Sequence, residues 1–358
     1  MTNAFCRHLG TCGGCTHPDF PSESYRTAKR RRLIDALARA GFADAPVAPM
    51  IEVPLGRRRR MDFAAARQQG RVVLGLHRKR AREIVDLAEC PLAVPAIASL
   101  LDPLRGLFAR LDGFRRSGSA IVAATDTGLD LAISLDHAAS AADRTRLSTF
   151  AADRNLARIS LGDDPIVIRR TPILRFGRVA VTPPPACFLQ PSADGEAAIT
   201  AAVLAALPEK LPRRSRIVEL YAGIGTLTFA LSGRAPVIAA EGSAAAIAAL
   251  DHAARTAGLG PRIAASHRDL ARRPFLAKEL ANAAAIVLDP PFDGAAAQTA
   301  QIAAAKLPTI VYVSCNPTAL ARDAAILARA GYRAASAIPI DQFPASDHLE
   351  SVVAFARP

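Results

Sequence analysis

Tryptophan is absent from the 358 residues, and only 5% are aromatic although 51% are hydrophobic. Cores must therefore be built from alanine and aliphatic side chains on helices and strands rather than from aromatic clusters. The most apolar stretches, such as Ala281 to Leu288, fall well short of the roughly 18 to 20 residues that a membrane helix needs. Met1 to Gly10 lacks the basic-then-apolar order of a secretory signal. These absences predict a cytoplasmic protein with no membrane partner. Internal repeats, Gly/Ser-rich linkers and low-complexity tracts are also missing, apart from a general enrichment in alanine. The length suits two or three domains, and the expected state is a monomer.

Acidic residues are in deficit, 32 against 45 Lys and Arg, leaving a net charge of +13. A polyanionic partner is the natural inference. The cations cluster as Lys29-Arg30-Arg31-Arg32, Arg57-Arg58-Arg59-Arg60 and Arg78-Lys79-Arg80-Ala81-Arg82, all in the first quarter of the chain. A helix expected over Ser22 to Ala40 would project the first run outward. Six cysteines occur without a secretion signal, which favours metal or catalytic roles over disulfides. Cys6, Cys12 and Cys15 are spaced C-x5-C-x2-C, and Cys90 is a distant fourth. Four thiolates suit either a 4Fe-4S cluster or a structural zinc. Cys187 reads as a buried structural thiol.

Three regions are expected: residues 1–45, a cysteine loop and helix; 46–190, an α+β unit; and 191–358. In the second, short β-like runs lie at 61–66, 71–76, 121–124, 129–135, 158–161, 166–169 and 179–181, with helices near 92–112 and 137–153. The third alternates helix and strand, with strands near 216–220, 237–240, 262–266, 285–288, 309–313, 334–340 and 349–354. Alternation implies a parallel sheet covered on both faces. The last two strands lack an intervening helix and should form an antiparallel hairpin at one edge.

Ligands of such sheets lie beyond the carboxyl ends of the strands. The first strand leads into Tyr221-Ala222-Gly223-Ile224-Gly225-Thr226, where two glycines let the backbone approach a ligand. Glu241, after the second strand, can accept hydrogen bonds from ribose hydroxyls. A dinucleotide would fit this pair equally well, but the third glycine of that fingerprint is replaced by Thr228. Asp269 follows the third strand, where a carboxylate could meet an adenine amino group. The fourth strand delivers Asp289-Pro290-Pro291-Phe292, a rigid loop headed by an aspartate. The fifth delivers Ser314-Cys315-Asn316-Pro317, placing a thiol before a helix start, where the helix dipole favours thiolate.

Together with Phe188-Leu189-Gln190 and the segment from Asp341-Gln342-Phe343-Pro344 to His348-Leu349-Glu350, these motifs resemble the RNA uracil-5-methyltransferase family over nearly the whole chain. The resemblance implies a class I, Rossmann-like methyltransferase domain joined to an α+β RNA-binding domain and a small cysteine-rich region. It implies Cys315 as nucleophile, Glu350 as base, and S-adenosylmethionine held by Gln190, Tyr221, Thr226, Glu241, Asp269 and Asp289. Similarity to the ribosomal-RNA members favours a 4Fe-4S cluster on Cys6, Cys12, Cys15 and Cys90, and 23S rRNA over tRNA as substrate. The implied chemistry needs these residue types: a thiolate adds at carbon 6 so that carbon 5 can attack a methyl group, and a base then removes the carbon-5 proton.

Three positions depart from the family pattern: Phe292 stands where Arg is common, Ser192 where Asn is common, and Ala222 where Cys is frequent. No β-barrel is expected ahead of the cysteines, so RNA selection should rest on the central region and cysteine loop. Asp-Pro-Pro-Phe also resembles the motif of adenine amino-methyltransferases, which would need neither Cys315 nor Glu350. A non-catalytic RNA-binding module is the remaining alternative.

Overall fold

The computed structural model describes residues 5–357; residues 1–4 and 358, the outer ends of the expected regions, lie outside the described residues. Helix α1 (Glu23–Arg39) follows the cysteine loop and begins at Ser22, whose hydroxyl accepts from the Tyr25 amide. Strand β1 (Ile51–Glu52) comes next. The following elements are β2 (Arg60–Gln68), β3 (Arg71–His77), β4 (Ile84–Asp86), α2 (Pro95–Ala98), α3 (Leu101–Arg110), β5 (Ser117–Thr125), β6 (Gly128–Leu135), α4 (Ala141–Asp153), β7 (Arg158–Leu161) and β8 (Asp164–Ile168). They form a sheet ordered β4-β3-β2-β5-β6-β7-β8, antiparallel except between β6 and β7, where α4 makes the crossover. Met61, Phe63, Val122 and Ile133 of the strands share one core with Leu104, Phe108, Leu147 and Phe150 of the helices.

Two details differ from the sequence expectation. The helix expected over 92–112 is two helices, because Pro95 and Pro103 each occupy a first turn, the position that tolerates a missing amide donor. The run at 179–181 is β10 (Val179–Val181), which pairs only with β9 (Leu174–Phe176) and stays outside the sheet.

The remaining elements are α5 (Ala193–Ala206), β11 (Arg216–Leu220), α6 (Thr228–Ser232), β12 (Val237–Glu241), α7 (Ala244–Thr256), β13 (Ile263–His267), α8 (Ala277–Leu280), β14 (Ala283–Leu288), α9 (Ala296–Ala305), β15 (Thr309–Ser314), α10 (Pro317–Arg329), β16 (Arg333–Asp341) and β17 (Glu350–Ala356). Their sheet runs β1-β16-β17-β15-β14-β11-β12-β13, with only β17 antiparallel to its neighbours. This is the class I methyltransferase arrangement. The hairpin of β16 and β17 is present, but it is not at the edge: β1 lies parallel outside β16.

Both faces of the sheet are covered, and the strands show it by alternation. Ile217, Val287 and Val311 join a core with Ile199 of α5 and Leu250 of α7. Their neighbours Val218, Ile286 and Ile310 join another with Leu33 of α1, Ile302 of α9 and Leu320 of α10. Strand order reverses between β11 and β14, and the crevice beyond their carboxyl ends is where such folds bind ligands.

Candidate active site

A cavity of about 1030 Å³ opens at that crevice. Gln190, Tyr221, Glu241, Asp269, Asp289, Cys315 and Glu350 all line it, whereas Thr226 does not. Residues far apart in sequence are thus brought to one place.

The glycine turn is shaped for close approach. Tyr221 has φ of 64° and Gly225 a φ of 100°. A Cβ on Gly225 would lie 2.5 Å from the Phe229 ring, so only glycine fits. A left-handed tyrosine at the mouth of a cavity is a local cost that the surrounding fold sustains. Glu241 braces the loops on either side: its Oε2 accepts from the Gly223 amide at 2.9 Å and its Oε1 from the Ser243 amide at 2.7 Å. Asp269 caps its own turn, accepting from the amides of Ala271 and Arg272 at 3.1 Å each.

Deeper in, four side chains form a continuous chain. Gln190 donates to Asp289 at 3.0 Å, while Gln342 donates to Gln190 Oε1 at 2.9 Å and to Glu350 Oε2 at 2.7 Å. Among the described residues no side chain or backbone group meets hydrogen-bond geometry with Glu350 Oε1, so this oxygen of the carboxyl faces no fixed partner. Burial pushes Glu350 up to about 8, and the Asp289 charge adds to it; burial raises Asp289 to about 7. Gln342 stands within the Asp341–Pro344 motif, where nothing in the sequence assigns it a role. Its signal would have been an amide beside a buried acid, which only the fold reveals.

Cys315 directly precedes Asn316, the N-cap of α10. A helix end by itself favours thiolate, but here burial, then Glu350 and Asp289, push the thiol up to about 12. Two carboxylates and low polarity outweigh one helix end.

The segment carrying Glu350 is gripped by α1. Tyr25, Lys29 and Arg32 share one helix face at i, i+4 and i+7. The Tyr25 hydroxyl donates to Asp341 Oδ2 at 2.6 Å, Lys29 pairs with Asp341 and donates to the Phe343 carbonyl at 2.9 Å, and Arg32 donates to the Asp347 carbonyl at 2.6 Å. The outward projection expected for Lys29 is therefore wrong: it is 1% exposed. Arg30 turns inward as well, donating to the Ala48 carbonyl at 3.0 Å.

A family model described as tRNA (uracil-5-)-methyltransferase matches residues 263–358. An uncharacterized RNA methyltransferase of Brucella suis is 39% identical over 99% of this chain and 84% of its own length. A 23S rRNA (uracil(1939)-C(5))-methyltransferase of Chromohalobacter salexigens is 32% identical, covering 98% of this chain and 76% of its own. The chain belongs to the RNA (uracil-5-)-methyltransferase family. The fold agrees: the tRNA (uracil-54, C5)-methyltransferase of Pyrococcus abyssi, solved with S-adenosyl-L-homocysteine, superposes with a TM-score of 0.71 over 97% of this chain and 86% of that one, at 19% identity. Membership sets aside the adenine amino-methyltransferase and non-catalytic alternatives.

In this methyltransferase the second basic run is mostly internal. Arg59 pairs with Glu196 and also donates to the Gln190 carbonyl at 3.2 Å, and Arg60 donates to the Cys187 carbonyl at 3.0 Å. Both fasten the segment that carries Gln190. Arg57 is exposed but pairs with Asp194 at 3.3 Å. In the third run Arg78 pairs with Glu83 and Lys79 with Asp347; among the described residues, Arg80 and Arg82 pair with no acid. Cys187 is half-buried and packs against the core of the sheet. It lines the cavity, and burial raises it to about 12.

The four remaining cysteines of the enzyme are buried together. Cys15 feels the charges of Cys90, Cys12 and Cys6, and Cys12 those of Cys90 and Cys6. The amides of His8 and Gly14 point at the sulfurs of Cys6 and Cys12, at 3.4 Å each. Among the described residues, however, no group of three or more His, Cys, Asp or Glu side chains is arranged to hold a metal ion. Among the described residues, no helix is long and apolar enough to cross a membrane.

Proposed function

We propose that the enzyme methylates carbon 5 of a uridine in 23S rRNA, using S-adenosylmethionine and a covalent bond from Cys315 to the uracil. The observation that carries this reading is the convergence of Cys315, Glu350 and Asp289 on one cavity at the switch point. The likeness to a 23S rRNA enzyme favours ribosomal RNA over tRNA. The lining set of Gln190, Tyr221, Glu241, Asp269 and Asp289 suits a nucleoside bearing a cationic sulfonium; Thr226 would act only through the shape of the glycine turn. S-adenosylmethionine, when bound, supplies an electrophilic methyl group.

Cys315 loses its proton to solvent before it attacks, against the opposing effect of burial, Glu350 and Asp289. Its sulfur adds to carbon 6, and the electron pair displaced onto the carbonyl forms an enolate. Carbon 5 then takes the methyl, leaving S-adenosylhomocysteine. Glu350, with one oxygen held by Gln342 and the other without a partner among the described residues, removes the carbon-5 proton, and elimination returns the Cys315 thiolate. Extrusion of the uracil from its stack costs a few kcal/mol, offset by phosphate contacts.

Residues 46–190 serve as the RNA-holding region in this reading and 191–358 as the cofactor domain. Cys6, Cys12, Cys15 and Cys90 are proposed to hold a 4Fe-4S cluster that braces the loop of residues 6–90. Mutual charge contact among the thiols and the amides aimed at two sulfurs support it. The test of the function is mapping of 5-methyluridine in rRNA from cells with and without the gene, together with trapping on 5-fluorouridine RNA. A methylated adduct on Cys315 is the expected result. Loss of 5-methyluridine from tRNA alone would move the substrate assignment.

A further inference from the structure

We propose that a second cavity beside Cys315, walled by Phe292 and His348, holds the nucleotide next to the extruded uridine, with its base stacked on the Phe292 ring. The inference rests on the uridine-methylating reading above and adds the place where the neighbouring nucleotide is read. Phe292 is 53% exposed, yet its loop is fixed. Pro290 and Pro291 precede it, and its carbonyl accepts from the Asn316 amide side chain at 2.9 Å, tying it to the residue after the nucleophile. An aromatic face held in place loses little entropy when a base stacks on it, and single-stranded bases are commonly read on such faces. The exposed His348 ring lies edge-on at 6.0 Å, and Phe343 lies 5.7 Å beyond His348.

The cavity measures about 370 Å³ and shares Phe292 and Cys315 with the cofactor cavity. It also shares Asp347 and His348 with a third cavity of about 360 Å³ lined by Gly13, Gly14, Lys79 and Arg80. A trough thus leads from the nucleophile past two aromatic rings to the cysteine loop and the β3–β4 turn. Its charge suits a polyanion. Asp347 is matched by Arg32, Lys79 and His17, while Arg39 and Arg80 pair with no acid among the described residues. Phosphates belong near these cations and the base against Phe292.

Methylation kinetics across a salt series, with rRNA from cells lacking the gene as acceptor, separate the two contributions. Phe292→Ala should raise the KM for RNA by roughly 5- to 100-fold, the range expected for one lost stacking contact, by the same factor at every salt concentration. Phe292→Trp should restore it, and the Tm of both variants should stay at the parent value as a check on the fold. Arg80→Gln should instead flatten the salt dependence. A parent-like KM for Phe292→Ala, or failure of Trp to restore with the Tm unchanged, overturns the site. If the unaltered enzyme methylates no uridine at all, the function fails first, and this site with it.

Discussion

Gln342 donates to Glu350 at 2.7 Å, and both side chains are buried. The same amide nitrogen reaches Gln190, so the orientation of Glu350 depends on a bridge that also touches the Asp289 partner. Gln342→Leu should slow proton removal by about 10- to 100-fold, part of the range general bases supply, with cofactor affinity little changed. Gly195 leaves room for this bridge: a Cβ there would stand 2.5 Å from Gln342 Oε1. Gly195→Ala should therefore reproduce the Gln342 defect from a distance. A kcat loss with unchanged KM for S-adenosylmethionine is the measurement.

In the proposed mechanism Cys315 and Glu350 divide the reaction. Cys315→Ala should abolish methylation and every covalent RNA adduct while cofactor still binds. Glu350→Gln should allow methyl transfer and then stall, accumulating methylated RNA on Cys315, visible on denaturing gels. Residual methylation by Cys315→Ala, or an adduct on Cys187, would show that the nucleophile is misassigned.

The pH dependence follows from the raised groups. Under the proposed mechanism Glu350, raised to about 8, must be ionised to act, and Cys315, raised to about 12, must lose its proton, so turnover should rise with pH through about 8. Stability runs the other way. Glu219, fully buried, is raised to about 8 by desolvation first, whereas in the unfolded chain it ionises near 4.3. The fold holds the proton in that interval and the unfolded chain does not, so this contribution is complete below about 4.3 and is lost as pH climbs towards 8. Glu219→Gln should flatten the decline of Tm over that window.

Lys29 and Asp341 form a buried pair. Removing one partner strands the other charge, at a cost of about 3–5 kcal/mol. Lys29→Met should lower Tm accordingly and reduce kcat by loosening the Glu350 segment. The double variant Lys29→Met with Asp341→Leu should recover much of the stability but not the rate.

For the cysteine site, anaerobic purification should yield a brown protein with iron and sulfide. Cys90→Ser should bleach it and weaken RNA binding. One zinc and no iron would leave the thiols as a mononuclear site.

The sheet was legible because each buried strand alternates or runs apolar between turn residues, and because Glu241 ends a strand while Tyr221, Asp289 and Cys315 each directly follow one. Short pieces escaped: β4 has three residues and β1 two, too few to show a period. Charge was misread where partners lie far along the chain. Lys29 looks like one more cation in a run until Asp341, 312 residues away, is folded against it, and Arg59 until Glu196 is. The thiol of Cys315 was misjudged for the same reason: the helix end is local in sequence, while the carboxylates that oppose it are not.

The grip of α1 on the Asp341–Asp347 segment bears on when the enzyme becomes competent. The backbone amides of Thr16 and His17 also donate to the Ala345 carbonyl, at 2.7 and 3.1 Å. Contacts of such long sequence separation form late, because closing the loop between them costs chain entropy before any packing compensates. A growing chain could assemble the β11–β15 half of the sheet, and with it much of the cofactor cavity, while the Glu350 segment still waits to be made and docked on α1. Cofactor binding would then precede activity during synthesis, and a nascent chain would hold its methyl donor before it could modify any RNA.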